Sequence, residues 1–521
     1  MSSCVLHAAA APEPRAGRRA WIGLAVLALP TLLLGLDVTI LYLALPALSV
    51  ELGATSVQAL WIMDAYGFLI AACLVAMGAL GDHVGRRRLL MVGTAAFAAA
   101  SLMAAFSPNA PMLILARAAL GVAGATLMPS TLALISNMFA APRERALAIG
   151  IWATMFALGM ALGPLLGGFL LQRFWWGAAF LVAVPVAALV LVAAPRLLPE
   201  YRAARGRMPD VAGIVQSLLA MLALVYGIKE LGRGGPGWAP LASMLVGLAL
   251  GAAFVRRQRR LASPLLDLSL FGHRTFSAAL LVLVFGLVAV AGAMLLVSQY
   301  LQLIAGLAPL EAGLRLGPPA LAMVAAGVGA PLLARRVRPG LVVAGSLALS
   351  AAGYLLMGIA GSGASFVVAG FALSYLGLGT IAALGTDLVV GAAPPEQAGA
   401  AAALSETAQE LGIAIGVALV GSLSNAVYRM QMAGTILPSR EADDLRAALL
   451  DSLAAATARA DRLPPSLLDR AREAFLEGFS VSTLACAALV SALAALAAIL
   501  LRDVGVGAVP LDATARRPQR R

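Results

Sequence analysis

The sequence predicts an all-α polytopic membrane protein of fourteen transmembrane helices, arranged as two six-helix bundles plus two inserted helices. Three observations predict it. Of 521 residues, 61% are hydrophobic and only 12% charged, and the mean hydropathy of +0.93 lies well outside the range of a soluble globular chain. A transmembrane helix needs about 20 mainly apolar residues, and fourteen such stretches can be drawn along the chain. Every arginine cluster falls after an even-numbered stretch, where the positive-inside rule places it.

The first six stretches run 21–46, 59–80, 89–106, 111–137, 146–171 and 177–195. Two more, 211–231 and 240–255, precede the last six at 277–303, 313–334, 340–361, 365–391, 400–425 and 479–501. Arg86, Arg87 and Arg88 follow span two; Arg143 and Arg145 follow span four; Arg196, Arg202, Arg205 and Arg207 follow span six. Arg256, Arg257, Arg259 and Arg260 follow span eight, Arg335, Arg336 and Arg338 follow span ten, and Arg516, Arg517, Arg520 and Arg521 close the chain. The opposite loops and their edges hold little beyond Arg173, Lys229, Arg233 and Arg315. Both termini are therefore expected in the cytoplasm of a bacterium, with the spans in its inner membrane.

This gives a cytoplasmic tail (1–20), an N-terminal bundle (21–195), linkers with two inserted helices (196–276), a C-terminal bundle (277–501) and a second cytoplasmic tail (502–521). The net charge of +12 is accounted for by these loop clusters, so nucleic-acid binding is not implied. Arg15, Arg18 and Arg19 precede a long apolar stretch with no small-residue cleavage site, which reads as an uncleaved first span. Cys4, Cys73 and Cys486 lie too far apart for a disulfide framework or metal-ligand spacing.

The segment 426–478 interrupts the pattern with a long polar loop expected on the outside. Ser439 precedes Leu445, Leu449 and Leu453 at helical spacing, and Ser466 starts a second such run with Leu468 and Phe475. Two short amphipathic helices are expected there. An internal echo supports the two-bundle plan. Gly78-Ala-Leu-Gly-Asp82-His-Val-Gly85-Arg86-Arg87-Arg88 after span two has a counterpart after span ten, Gly329 to Pro339, with similar glycine-to-arginine spacing but no aspartate.

An ionised carboxylate near the bilayer centre costs at least about 2.5–3.5 kcal/mol, so those that persist face a partner or a wet cavity. Asp37, Asp64, Glu406 and Glu410 stand inside spans. Burial favours the protonated acid, which suits a group that binds and releases protons. Glu406 and Glu410 are one turn apart on one helix face and repel one another's charge. Each of the four also reads plainly as a hydrogen-bonding group between helices, and Asp387 near the end of span twelve as an interfacial one. Arg117 in span four needs a carboxylate or carbonyl partner, with first-span carbonyls one possibility. His7, His83 and His273 lie outside the spans, so a proton path has carboxylates, arginine and water to use. Trp61, Tyr66, Trp152, Met155, Met160 and Tyr300 are candidates to line an apolar cavity or simply to pack. No phosphate-cradling loop is present, no metal constellation or nucleophile-base pair suggests catalysis, and no cofactor or metal is expected.

Several of these residues together resemble the Major Facilitator Superfamily, and within it the fourteen-span drug:proton antiporters. Gly78, Leu80, Asp82, Gly85, Arg86 and Arg87 resemble the family's loop signature, and Leu36 to Ile40 with Ala44-Leu45-Pro46 the first-span signature of that branch. Arg117 with Gly121 and Gly124 resembles its proton-relay motif, and Gly159, Gly163, Pro164, Gly167 and Gly168 its antiporter motif. Trp61 to Gly67 and Ser405 to Gly412 are similar to stretches of quaternary-ammonium and dye exporters. The resemblance implies the major facilitator fold and a proton-coupled exporter of lipophilic organic cations, working as a monomer. It implies proton coupling at Asp37 and Arg117, substrate binding at Asp64, Glu406, Glu410, Trp61 and Tyr66, and conformational control by the two glycine-rich motifs. Export of a neutral or amphipathic metabolite stays open, and, more remotely, a membrane-embedded enzyme or sensor.

Overall fold

The computed structural model describes residues 16–139, 141–202, 210–232, 237–261, 264, 268–359, 363–391, 398–434 and 442–501. Cys4, His7, Arg15, Arg205, Arg207, Arg233, Ser439, the tail 502–521 and the Arg143 side chain lie outside the described residues. Among the described residues, fourteen helices are long and apolar enough to cross a membrane. They are α1 Arg18–Glu51, α2 Ser56–Val84, α3 Arg86–Ala105, α4 Ala110–Met138, α5 Leu147–Arg173, α6 Ala178–Leu197, α7 Val211–Leu231 and α8 Trp238–Gln258. The second half comprises α9 Arg274–Ile304, α10 Pro309–Ala334, α11 Pro339–Ile359, α12 Ala364–Gly391, α13 Ala401–Met432 and α14 Pro465–Leu500.

The two bundles repeat one packing plan. In the first, α1 packs on α5, α2 on α4 and α3 on α6; in the second, α9 packs on α13, α10 on α12 and α11 on α14. The inserted α7 lies against α2 of the first bundle and α13 of the second, and α8 packs on α7. Leu224 and Ala220 of α7 crowd Gly247 of α8, while α7 itself offers Gly227 to Pro240 and Met244. Small residues permit this close approach.

Helix contact in lipid depends on such small residues because apolar burial gives little drive there. On α5, a Cβ at Gly159 would overlap the Leu32 carbonyl oxygen, and one at Gly163 would overlap Thr39 Oγ1. Pro164 has no N–H to give the carbonyl four residues earlier. That carbonyl, on Met160, instead accepts a hydrogen bond of 3.1 Å from Thr39 Oγ1 of α1. The glycine-proline run of α5 and the Asp37–Thr39 run of α1 are thus two sides of one contact.

The halves meet on the face opposite the arginine clusters. A Cβ on Gly168 of α5 would lie 2.5 Å from the Pro309 carbonyl oxygen of α10, and one on Gly313 of α10 would overlap the Pro164 oxygen. Gln302 Nε2 of α9 donates to the Leu43 oxygen of α1 at 3.3 Å, and Leu60 of α2 fills the space beside Gly421 of α13. Toward the arginine-rich face, no comparable packing joins α4 to α12 among the described residues.

The segment between α13 and α14 differs from expectation in one respect. The first amphipathic run forms Ala442–Asp451 and Leu453–Thr457, broken where Ser452 Oγ accepts from Ala455 N at 3.2 Å and caps the second piece. Leu449 and Leu453 are buried as their spacing implies. The run from Ser466 is no separate helix: it is the start of α14, continuous over 36 residues or about 54 Å. That is longer than a hydrocarbon core of about 30 Å, so polar residues occupy the part that projects from the membrane. Asp451 receives Ser56 N at 2.9 Å and Ser56 Oγ at 3.0 Å, placing a carboxylate at the N-terminus of α2 where free N–H groups and the helix dipole favour it. The insertion of the second half therefore clasps the first half over their closed face.

Gly159→Ala should lower the thermal stability of the purified protein by about 1–3 kcal/mol through overpacking. Gly150→Ala, where a Cβ meets nothing within 4 Å, should leave it unchanged or raise it. Equal unfolding temperatures for the two variants would contradict the α1–α5 contact described.

Candidate functional site

Among the described residues, Asp37, Asp64, Glu406 and Glu410 stand deep in their spans, and the structure sorts them into two paired and two unpaired. Asp37, in α1, is 8% exposed and Arg117, in α4, 2%. Arg117 Nη1 meets Asp37 Oδ2 at 2.7 Å, and its Nε donates to the Ile62 oxygen of α2 at 3.1 Å. The guanidinium lies 4.6 Å from the Tyr66 ring centre. A planar fork of donors can satisfy a carboxylate, a carbonyl and an aromatic face together. The carbonyl comes from α2, not from the first span. Tyr66 serves here as a wall for Arg117.

Asp64 has a partner in Lys229, a residue whose position in the sequence is at the edge of a loop. Lys229 of α7 approaches Asp64 Oδ2 to 2.7 Å with both side chains 0% exposed, and its Nζ lies 3.9 Å from the Trp61 ring centre. Asp64 and Trp61 thus face the inserted helix. The approach is an ion pair, and among the described residues no third group hydrogen-bonds either charged end. Lys229 sits two residues from the end of α7, which made it look peripheral. The usable signal was charge matching, since a lysine inside an apolar run requires a buried acid.

Glu406 and Glu410 of α13 are different. Glu410 is 4% exposed and Glu406 is half-buried, and among the described residues neither makes an ion pair or hydrogen bond. With Ile413 they form one stripe of α13 at i, i+4 and i+7. Ile413 lines a small cavity of about 20 Å³ between the halves, with Tyr42 of α1, Met160 of α5, Met294 of α9 and Tyr375 of α12. Two unpaired acids thus run along the helix face that borders the junction of the bundles. Trp152 and Tyr300 are placed elsewhere: Trp152 Nε1 donates to Thr131 Oγ1 at 3.0 Å, and Tyr300 is fully buried against Phe479.

The loop motif between α2 and α3 forms a separate network at the arginine-rich face. Gly85 turns the chain with φ +117°, a conformation that strongly favours glycine. Arg86 Nε and Nη2 donate to Asp82 Oδ1 at 2.9 and 2.6 Å, and Arg86 Nη1 reaches the Pro129 oxygen of α4 at 3.4 Å. Arg87 donates its backbone N–H to Glu200 Oε1 at 3.0 Å and Nη1 to the Leu198 oxygen at 3.0 Å. Gly78 borders Pro129 of α4. All of these partners belong to the first half. Glu200, just beyond α6, is a single loop acid, and nothing in the sequence pattern marks it for this role.

Two helical halves with charges paired inside their spans are the architecture of a membrane transporter. The chain belongs to the Major Facilitator Superfamily, whose sequence profile matches residues 27–417. It is 41% identical to the multidrug efflux pump LfrA of Mycolicibacterium smegmatis, over 96% of this chain and 100% of that protein. It is 35% identical to the methyl viologen resistance protein SmvA of Salmonella typhimurium, over 89% of this chain and 94% of that protein. A tetracenomycin C resistance and export protein of Streptomyces glaucescens is 33% identical over 82% of this chain and 79% of its own. Among solved structures, a bacterial homologue of the human lysosomal transporter Spinster superposes with a TM-score of 0.67 at 15% identity, covering 93% of this chain and 97% of that one.

Arg117→Met should destabilise the protein by about 3–5 kcal/mol by leaving Asp37 buried without a counter-ion. The double variant Asp37→Asn/Arg117→Met should recover most of that loss, as read from unfolding in detergent. A double variant that loses the sum of the two single losses would show that the pair is not coupled.

Proposed function

We propose that this chain is a proton-coupled antiporter that exports lipophilic organic cations, such as drugs, dyes and quaternary ammonium compounds, across a bacterial inner membrane. The observation that carries the reading is that Glu406 and Glu410, on the junction face of α13, have no ion pair or hydrogen bond among the described residues, whereas Asp37 and Asp64 are matched by Arg117 and Lys229. A carboxyl group without a counter-ion is stable in low dielectric only when it holds a proton or a cation. One site can then accept either, and binding one releases the other. Tyr42, Met160, Met294 and Tyr375 beside Ile413 supply aromatic faces and polarisable sulfur suited to a flat apolar cation.

Asp37 and Arg117 take the proton-relay role, since protonation of Asp37 would free the guanidinium and loosen the α1–α4–α2 contact. Asp64 and Trp61 act in this reading through Lys229 and the inserted helix. The Asp82–Arg86–Arg87–Glu200 network stabilises an end state, while Gly159, Gly163, Pro164, Gly167 and Gly168 shape the α1–α5 and α5–α10 surfaces that close and part. The arginine clusters face the cytoplasm, so the state described is closed to the outside. The relative named for resistance to methyl viologen, an organic dication, supports cationic cargo. The relative named for tetracenomycin export keeps a second reading in view, with a neutral polyketide as cargo and the same proton-carrying groups.

In proteoliposomes with an imposed pH gradient, Glu406→Gln and Glu410→Gln should each cut export of a lipophilic monocation by about tenfold or more, as expected when a proton-exchanging group is lost. Exchange of one proton per monocation moves no net charge, whereas two protons gain about 2.3 kcal/mol per 100 mV, so potential dependence counts how many of the two acids are used. Wild-type rates in both variants would refute the assignment, whereas wild-type export of neutral analogues as fast as of the cation, lost in the same two variants, would favour the second reading.

Single cysteines at Arg336 and Asp469, both exposed, should be labelled from opposite sides of intact cells, Arg336 only from the cytoplasm. Labelling of both positions by an impermeant reagent added outside would reject the topology.

A further inference from the structure

The inserted hairpin touches both halves on the side where they close. Around Val225 of α7 lies an apolar cluster that includes Phe68 of α2 and Ala414 and Ala418 of α13. If the outer ends of α2 and α13 part during export, α7 must leave one of them. The contacts on its two sides differ in kind. Toward α13 the cluster is apolar and made of small or aliphatic side chains, Leu411, Ala414, Ile415 and Ala418. Such a surface separates and re-forms in lipid at little cost, because lipid tails replace aliphatic neighbours nearly as well. Toward α2 the cluster is joined by the Lys229–Asp64 ion pair at 2.7 Å, wholly shielded from solvent and stacked on Trp61.

That pair cannot be parted cheaply. Among the described residues no third group hydrogen-bonds either charge, so separation in the membrane would leave two buried ions uncompensated, a change that costs far more than the loss of aliphatic contact. At the other end of α7, Asp210 is bonded by Arg257 of α8 at 2.8 and 2.9 Å and caps α7 through Gly213 N at 3.1 Å. Those hydrogen bonds from Arg257 hold the Asp210 carboxyl below the ordinary carboxylate range. The α7–α8 hairpin is thereby closed on itself at the cytoplasmic end and tied to α2 at the outer end.

We propose that Lys229 is a positioning residue that, through Asp64, makes the inserted hairpin a rigid part of the N-terminal half, so that α7 stays on α2 and parts from α13 when the protein opens outward. This rests on the closing and parting of the two halves in the proposed function but not on the cargo.

The test uses the full-length protein with Cys4, Cys73 and Cys486 replaced, and two cysteine pairs closed by a short cleavable cross-linker. Phe68→Cys/Val225→Cys ties α7 to α2, and Val225→Cys/Ala418→Cys ties it to α13. Outward opening is read independently of cargo, as labelling from outside of Leu60→Cys, which lies in the closed contact beside Gly421. The α2–α7 link should leave both labelling and export within about twofold of the reduced protein, whereas the α7–α13 link should suppress both about tenfold, reversibly, as expected for a blocked conformational step. The reverse pattern, inhibition by both links, or inhibition by neither would overturn the proposal. If labelling follows the expected pattern but no cation moves in any sample, the cargo reading fails and this inference stands.

Lys229→Met should lower turnover with little change in KM, and closing the α2–α7 link in that variant should restore turnover to within about threefold of the linked parent, since a covalent bond supplies the positioning. If Lys229→Met does not fold, Asp64→Asn/Lys229→Met leaves no unmatched charge at this contact and carries the same test. Failure of the link to restore turnover in folded protein would remove Lys229 from the role.

Discussion

An ionised side chain inside a lipid-spanning helix has no water to solvate it, and the architecture of this protein depends on how that cost is met. Arg117 meets Asp37 and the Ile62 carbonyl, and so binds α4 to α1 and α2 at one point. Lys229 meets Asp64 and binds α7 to α2. With two cations assigned to two acids, Glu406 and Glu410 are the acids left with ionisable capacity on the junction face. The separation of structural from exchangeable carboxylates is therefore a property of pairing, and a carboxylate's depth in a span does not by itself reveal it.

Close packing supplies the other half of the account. Pro164 removes an N–H from α5, and the Met160 carbonyl thus released is taken by Thr39 of α1. The same turn carries Gly159 and Gly163, which let the α1 backbone lie against α5. A contact of this kind is bistable: backbone atoms in van der Waals contact either fit in register or separate, with little between. Gly168 and Gly313 extend it to α10, so one face of α5 joins the charge pair's helix to the opposite bundle.

Beyond the membrane, each face is organised by carboxylates set on helix ends. Asp82 and Glu200 hold the arginines of the α2–α3 turn within the first half. On the closed face, Asp451 of the second half sits on the N-terminus of α2, and Tyr428 OH donates to the Leu449 oxygen at 2.9 Å to fix the insertion that carries it. A clasp between halves on one face and a network confined to one half on the other fit a molecule closed on the first face.

Much of this was legible in the amino-acid order, because membrane insertion is governed by terms local in sequence. Span length follows from the thickness of the hydrocarbon core, and the arginine clusters mark one face because each falls after an even-numbered span. The echo of the Gly78–Arg88 loop announced the repeat that the α1–α5 and α9–α13 pairs display. The likeness to the superfamily was carried by residues such as Asp82 and Gly163 whose spacing survives along one helix or turn. Asp37 and Arg117 could each be picked out as needing a partner. Which partner each buried charge takes was decided only by tertiary structure, since the pairs Asp37–Arg117 and Asp64–Lys229 join residues far apart in sequence, and ion pairing depends on distance in space. The same holds for the continuous α14, whose polar start reads as a separate helix until its length beyond the bilayer is seen. Sequence determined which groups lipid would not tolerate alone; the packing of α7 between two halves determined that Lys229 answers Asp64 and that Glu406 and Glu410 are answered by no side chain among the described residues.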